Sequence, residues 1–421
     1  MLPEYDPFSP RWREDPYPAY RALRDGAPIH RAPGSGAFCV SRYEDVVQVL
    51  KRPELFSSRA MFTVLMNGGK DGRPPLSWNG MRLFVLFAWR LRMNPAAFAR
   101  ARNLISEDPP VHETLRNIVN RGFTPRKIAA WEPRIRALVA EQLAPLATRV
   151  PYDVVHELAI PLPVTVIAEM LGVEPERQRD FKRWSDAIIE GTTGAGRAEP
   201  FAPRFVDSAL ELLSYLRSVI RRRRRAPGED LISTLLAEPA GGTLLSDIEV
   251  LMFVQLLLVA GNETTTNLIG NAVQALLDHR DQLALVQRDP SLVPALVEEV
   301  LRFDAPVQVV FRTATRDVDL AGARIPAGAT VAVLLGSANR DDRRFPDPDA
   351  FDVRREPRGH VGFGFGEHFC LGAALARLEA RVALEALVPA LGGLERCGEG
   401  RERIDSFLVR GPKRLDLRPA A

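Results

Sequence analysis

Apolar residues recur every three to four positions through the middle of the chain, the period of helices that bury one face. That spacing predicts helices over 111–122, 128–148, 161–171, 175–190 and 205–224, and a long one from Ser246 to about Arg280. Ser246-Asp247-Ile248-Glu249 reads as a capping box that starts the long helix, because the serine hydroxyl and the glutamate can satisfy each other's backbone N–H. After Leu301 the pattern changes. β-Branched runs over 307–335 are cut by Asp317, Gly322 and Pro326-Ala327-Gly328, as in a small meander of strands. A Pro- and Arg-rich loop over 339–359, a last helix over 371–391 and a β-like segment over 407–417 follow. Near the start, 37–40 reads as a strand and 43–50 as a short helix ended at Pro53. No repeat of about 20–50 residues is present. No Gly/Ser linker separates the helical part from the strand part. One mainly α domain with a small β-region, spanning residues 1–421, is therefore expected.

Charge and cysteine content narrow the class. With 56 Lys and Arg against 53 Asp and Glu, a net charge of +3 excludes a whole-surface nucleic-acid binder and an acidic disordered chain. Arg221 to Arg225 form a basic run, but they close a predicted helix just before Ala226-Pro227-Gly228, where cations offset the C-terminal dipole. A solvated helix end is expected there, not a nucleic-acid or membrane site. Cys39, Cys370 and Cys397 contain no C-x-x-C pair and cannot form a disulfide framework, which fits a reducing cytoplasm. The opening MLPEYDPFSPRWRED holds no apolar h-region, and the longest nearly uniform apolar run, 250–260, is far below the ~20 residues of a membrane span. Neither a signal peptide nor a span is expected.

The sharpest chemistry lies in Phe363-Gly364-Phe365-Gly366-Glu367-His368-Phe369-Cys370-Leu371-Gly372, which runs straight into a predicted helix. A cysteine at a helix mouth is stabilised as thiolate by unpaired backbone N–H groups and the helix dipole. The glycines permit positive φ and close approach of a large flat partner, and Phe363 and Phe369 would exclude water from the sulfur. A lone soft thiolate in such a pocket suits one axial bond to haem iron. A nucleophilic cysteine with a histidine base, or a plain buried cysteine beside a tight turn, are the competing readings.

Ala260-Gly261-Asn262-Glu263-Thr264-Thr265 sits in the middle of the long helix. Gly261 removes a side chain where something can lie against the backbone, and Thr264 can bond back to the carbonyl of Ala260 and widen the turn. An acid next to an alcohol there makes a proton relay to a bound ligand, or else an incidental polar patch on a core helix. Glu299 and Arg302, at i and i+3, can pair, which on its own reads as a weak surface salt bridge. His112 and Arg116, at i and i+4 on a helix opened by Pro109-Pro110, make either a fork for carboxylates or a solvated face.

Taken together and in this order, these elements closely resemble the cytochrome P-450 superfamily, specifically its soluble bacterial haem-thiolate monooxygenases. The likeness runs from Asp15-Pro16-Tyr17-Pro18 to Val409-Arg410-Gly411, and the cysteine loop is its most specific part. It implies a mainly helical prism around a buried haem b (iron protoporphyrin IX), lying between the long helix and the Cys370 loop. By the same resemblance Cys370 is the iron ligand, and His112, Arg116, Arg312 and His368 bind the propionates. Gly261, Phe363 and Gly364 line the cofactor, and Glu263 and Thr264 are the oxygen-activating pair. Glu299, Arg302 and Arg355 form a structural triad, and His360 is structural. The implied reaction uses dioxygen to hydroxylate or epoxidise an apolar small molecule of terpenoid, steroid, fatty-acid or macrolide type, in a cytoplasmic monomer. About 50 residues after Cys370 leave no room for a reductase domain, so a separate ferredoxin and its reductase are the implied electron source. A non-catalytic haem-thiolate sensor would not need Glu263-Thr264, and peroxide-driven relatives typically lack that pair.

One departure from the family pattern is the long connection 58–108, which contains Leu83-Phe84-Val85-Leu86-Phe87-Ala88-Trp89 bracketed by Arg82, Arg90 and Arg92. A lid, a partner- or membrane-facing surface and a packing insertion are its three readings. Covering the distal pocket is the expectation, because so apolar a stretch is costly to leave in water.

Overall fold

The computed structural model describes residues 4–61, 64, 100–148, 151–192, 203–237, 244–356, 358–397 and 402–420. The apolar stretch 83–89 and its flanking arginines lie outside the described residues. In chain order the α-helices are α1 (Tyr17–Gly26), α2 (Tyr43–Lys51), α3 (Val111–Asn120), α4 (Pro125–Ala129), α5 (Glu132–Leu143), α6 (Pro161–Met170) and α7 (Gln178–Thr192). They continue with α8 (Pro203–Arg225), α9 (Leu231–Leu236), α10 (Asp247–Asp278), α11 (Arg280–Arg288), α12 (Val293–Phe303), α13 (Leu335–Ala338) and α14 (Ala373–Leu391). The strands are β1 (Ile29–Arg31), β2 (Phe38–Val40), β3 (Phe56–Ser57), β4 (Tyr152–Asp153), β5 (Val309–Ala314), β6 (Val318–Leu320), β7 (Ala323–Ile325), β8 (Thr330–Leu334), β9 (Leu394–Arg396) and β10 (Asp416–Pro419). The mainly helical class with a small β-part is as the sequence implies.

The chain groups into two compact units. The first contains residues 1–60, 125–163 and 263–421, and the second 61–124 and 164–262. In the first unit β1-β2-β8-β5-β3 form one sheet, antiparallel except for the parallel pair β2 and β8. The register Phe38↔Val331 and Val310↔Val333 ties the N-terminal strands to the meander. Val40, Val46, Val49, Phe56, Val331, Val333 and Val361 form one buried cluster, so β8 is apolar because both of its faces are covered.

A buried polar knot also joins the chain ends in this unit. Asp304 Oδ1 accepts from Tyr17 Oη and Arg410 Nε, both at 2.7 Å, and Arg410 Nη1 donates to the carbonyls of Arg13 and Glu14. Burial alone would raise the Asp304 carboxyl, but Arg410 and Arg403 outweigh it and hold it down at about 2. A carboxyl depressed on folding adds stability above its unfolded pKa and loses it as pH falls towards its folded one. Asp304→Asn should therefore cost about 2 kcal/mol near neutral pH. Urea titrations at stepped pH should show the gap to wild type closing between about pH 4 and about pH 2. A gap independent of pH would show that Asp304 contributes no charge-dependent stability.

In the second unit α8 ends in the arginine run. Three of its five residues are paired and not merely solvated: Arg222 with Glu174, Arg223 with Asp230, and Arg224 with Asp247. Two further expectations are modified. The helix expected over 128–148 is broken into α4, α5 and a 3-10 turn over Ala144–Ala147, because Pro133 and Pro145 lack an N–H and each opens a new segment. The segment 407–417 is mostly bridges, Val307↔Val409 and Arg403↔Pro412, with regular strand only at β10. By length and composition α10 can cross a membrane. Its packing is that of a core helix: Thr266 Oγ1 donates to the carbonyl of Ala159, and Asn271 Nδ2 donates to the carbonyls of Asp304 and Arg410.

Candidate functional site

The segment leading to Cys370 is pinned at each step. Val361 N donates to Asn339 Oδ1 at 2.7 Å, and Gly362 N to His360 Nδ1 at 3.1 Å. Gly364 and Gly366 both take φ +73°, a left-handed conformation that costs other residues dearly. At Gly366 a Cβ would also stand 2.7 Å from the carbonyl oxygen of Leu50, so this position is closed to larger residues twice over. The chain then doubles back, and Cys370 N donates to the carbonyl of Phe363 at 2.9 Å. Gly372 caps α14, so Cys370 stands at the mouth of a 19-residue helix. That is where the first-turn N–H groups have no partner within their own helix.

Behind the loop lies a fully buried ion pair, not the surface bridge that its spacing alone indicates. Arg302 and Glu299 are both 0% exposed. Arg302 Nε and Nη2 donate to Glu299 at 2.8 and 2.7 Å, and its remaining donors reach the carbonyls of Asn339, Pro348 and Ala350. All five guanidinium N–H groups are thereby used. Arg355 Nε stands 3.4 Å from Glu299 Oε1, completing the triad. A second network was missed in the sequence. Glu298 accepts from His360 Nε2 at 3.0 Å and from Arg377 Nε at 2.6 Å, and Arg377 lies 4.5 Å over the Phe363 ring. Burial would raise Glu298, but His360 and Arg377 hold it at about 2. Since His360 Nδ1 accepts from Gly362, Nε2 carries the proton. The signal that could have found it is Glu298 immediately before Glu299, one helical step round from the triad. On α14 itself, burial pushes the Glu379 carboxyl up to about 8.

The capping box of α10 is formed as expected: Ser246 N donates to Glu249 Oε2 at 2.8 Å, and Glu249 N to Ser246 Oγ at 3.3 Å. Midway along the helix, Glu263 and Thr264 are half-buried neighbours. The space beside Gly261 is taken by Ile167, whose Cδ1 would stand 2.8 Å from a Cβ there. Gly261 thus admits the close approach of Ile167, and the exposed position in this turn is Ala260, between the buried Leu258 and Asn262.

His112, on α3, is only 1% exposed, and Arg116 is half-buried one turn later, so this is not a solvated face. Arg312 is buried on β5, and its Nη1 donates to the carbonyl of Phe311 at 2.9 Å. His368 lies half-buried in the cysteine loop with Nε2 3.5 Å from Glu367 Oε1. Phe363, Gly364, His368 and Cys370 belong with Arg312, Glu263 and Thr264 to the first unit, and His112, Arg116 and Gly261 to the second.

A haem fits the cysteine loop. The donor is one sulfur at a helix mouth. Beside it a Cβ at Gly364 would meet nothing nearer than the carbonyl oxygen of His368 at 3.8 Å, and one at Gly372 nothing within 4 Å. Phe369, the residue before the sulfur, is 39% exposed, an apolar surface suited to a flat apolar partner. The other thiols fit poorly. Cys39 is buried in β2 and its thiol is pushed up by burial, which disfavours thiolate, and Cys397 follows β9.

A family model for cytochrome P450 matches residues 204–414. Cytochrome P450 107B1 of Saccharopolyspora erythraea is 37% identical over 430 residues, covering 100% of this chain and 99% of that one. Cytochrome P450 monooxygenase PikC of Streptomyces venezuelae is 40% identical over 397 residues, covering 91% of this chain and 84% of PikC. The crystal structure of CYP109E1 from Bacillus megaterium in complex with corticosterone superposes with a TM-score of 0.82 at 35% identity, covering 98% of this chain and 100% of that one. The chain belongs to the cytochrome P450 family: it is a haem-thiolate monooxygenase, an oxidoreductase that incorporates molecular oxygen, with a cysteine as the axial ligand of its haem.

Proposed function

We propose that Cys370 is that axial ligand, and that the whole chain acts as one cytoplasmic, monomeric domain that hydroxylates or epoxidises an apolar small molecule. The carrying observation is the loop from Phe363 to Gly372, with Gly364 and Gly366 at φ +73° and the sulfur opening α14. An apolar, steroid-like or similarly bulky substrate is favoured by the likeness to CYP109E1, a protein seen with corticosterone. Electrons come from a separate ferredoxin and its reductase, as the family resemblance implies.

When bound, haem supplies dioxygen binding and the two-electron chemistry of oxygen insertion. The protein residues hold, orient and protonate. His112, Arg116, Arg312 and His368 hold the propionates through charge-assisted hydrogen bonds, the buried positions of His112 and Arg312 favouring this over surface roles. Phe363 and Phe369 keep water from the sulfur, and their rings lie 6.2 Å apart. Glu263 takes protons from solvent and Thr264 Oγ1 passes them towards the dioxygen-binding side, a relay between consecutive residues on one helix.

Thr264→Ala keeps the helix and removes only the hydroxyl. Substrate affinity should change little, while product per NAD(P)H consumed should fall several-fold and hydrogen peroxide should rise. The measurement is product and peroxide per reducing equivalent with a reconstituted ferredoxin chain. Unchanged coupling would remove Thr264 from the mechanism.

A further inference from the structure

Beyond Glu263, one face of α10 stays polar for the rest of its length. Glu263, Asn267, Asn271 and Gln274 follow at spacings of four, four and three residues. At 100° per residue they remain within a sector of about 80° over about 16 Å of rise. The three amides are deeply buried: Asn267 and Asn271 are 1% exposed and Gln274 5%. Buried amides normally use their full hydrogen-bonding capacity. Here Asn271 Nδ2 is satisfied by the carbonyls of Asp304 and Arg410, at 2.9 and 3.0 Å. Asn271 Oδ1, Asn267 Nδ2 and Gln274 Oε1 have no partner among the described residues. A Cβ at Gly411 would collide with Asn267 Oδ1, so the glycine makes room for this amide. Left dry, unpaired buried polar atoms are strongly unfavourable, and three on one face make a seam suited to water.

The outer end of the seam is open. A cleft of about 840 Å³ is lined by Asn271, Gln274, Asp278, His279, Asp304 and Arg410, among others. The two amides furthest from Glu263 therefore belong to both the seam and the cleft. Asp304 is no proton store there, because Arg410 and Arg403 hold it ionised down to about 2 against the opposing effect of burial.

We propose that this face is the proton-entry route of the enzyme, with water bridging Gln274 Oε1, Asn271 Oδ1 and Asn267 Nδ2 between the cleft and Glu263. The route deepens the Glu263-Thr264 assignment and rests on it. The two amide oxygens accept from water, and Asn267 Nδ2 donates to it, which fixes the orientation of the file. Each water releases one proton inward as it takes one from its outer neighbour. The net event is one proton moved from solvent to the Glu263 carboxylate, with no electron transferred in the seam. Asn267, Asn271 and Gln274 act as positioning residues for the water.

The test uses the haem-loaded enzyme. A high-resolution crystal structure of the wild type should show ordered waters within hydrogen-bond distance of the three unpaired atoms. Gln274→Met, nearly isosteric, should lose the outermost of them. Gln274→Met and Asn267→Leu should each divert several-fold more NAD(P)H to hydrogen peroxide, with the spectrally measured substrate affinity within about twofold of wild type. Gln274→Glu, which retains an acceptor, should keep the wild-type coupling, a rescue that a purely packing role would not require. A seam without ordered water overturns the proposal. So does wild-type coupling in both apolar variants when Thr264→Ala uncouples in the same assay. Unchanged coupling in Thr264→Ala overturns the acid–alcohol assignment and the route with it. That outcome is told apart from failure of the seam alone by the ordered waters, which are observed without turnover.

Discussion

Replacing Cys370 by alanine should abolish the thiolate-type spectrum of the reduced carbon monoxide complex, whereas Cys39→Ala and Cys397→Ala should retain it. The difference follows from where each sulfur stands. Cys370 opens α14, with Gly372 as the cap, so the unpaired N–H groups and the positive end of the dipole favour a charged sulfur. Cys39 is fully buried in β2, where burial disfavours the thiolate. Cys397 is tied by its backbone N–H to the carbonyl of Asp416 beside β9. Loss of the signal in Cys39→Ala or Cys397→Ala, with retention in Cys370→Ala, would reverse the assignment.

The second large effect concerns stability. Glu299→Ala should destabilise the protein by about 3–5 kcal/mol, because it leaves the Arg302 guanidinium buried without its counter-charge. Among the described residues Glu299 is the one carboxylate with which Arg302 forms an ion pair. Arg302 is fully buried, and its three other acceptors are neutral carbonyls, of Asn339, Pro348 and Ala350. The double variant Glu299→Leu with Arg302→Met should lose less than the sum of the two single losses, since no unpaired charge is left behind. It should still be weaker than wild type, because the three carbonyls lose their donor. Chemical denaturation of the four proteins measures this directly. Strict additivity would show that the pair is not coupled and that its burial has no electrostatic consequence.

Features governed by neighbours in the chain are legible from residue order and spacing. The capping box Ser246 to Glu249 and the helix that it opens need only residues a few positions apart, and both are present. The glycine spacing around Cys370 likewise announces positive φ at Gly364 and Gly366. Where an expected helix is broken, the cause is also local: Pro133 and Pro145 interrupt a run whose apolar period continues through them.

Burial and partner choice are not legible in this way, because they depend on segments far apart in the chain. The i, i+3 spacing of Glu299 and Arg302 is the same for a weak surface bridge and for a buried pair. Only carbonyls supplied from 339–350 make it the latter. Gly261 illustrates the same limit, since only the fold brings Ile167 against the space that it clears. The amides of Asn267, Asn271 and Gln274 are scattered polar residues on a core helix until folding brings Asp304, Arg410 and Gly411 against that face. The sequence by itself determined the helical class, the glycine-rich turn before Cys370 and the capping box of α10, because local backbone chemistry and short spacings carry them. The tertiary structure decided which charges are buried, which side chain approaches Gly261 and which polar face meets a cleft, because desolvation and hydrogen-bond partners are set by non-local contacts.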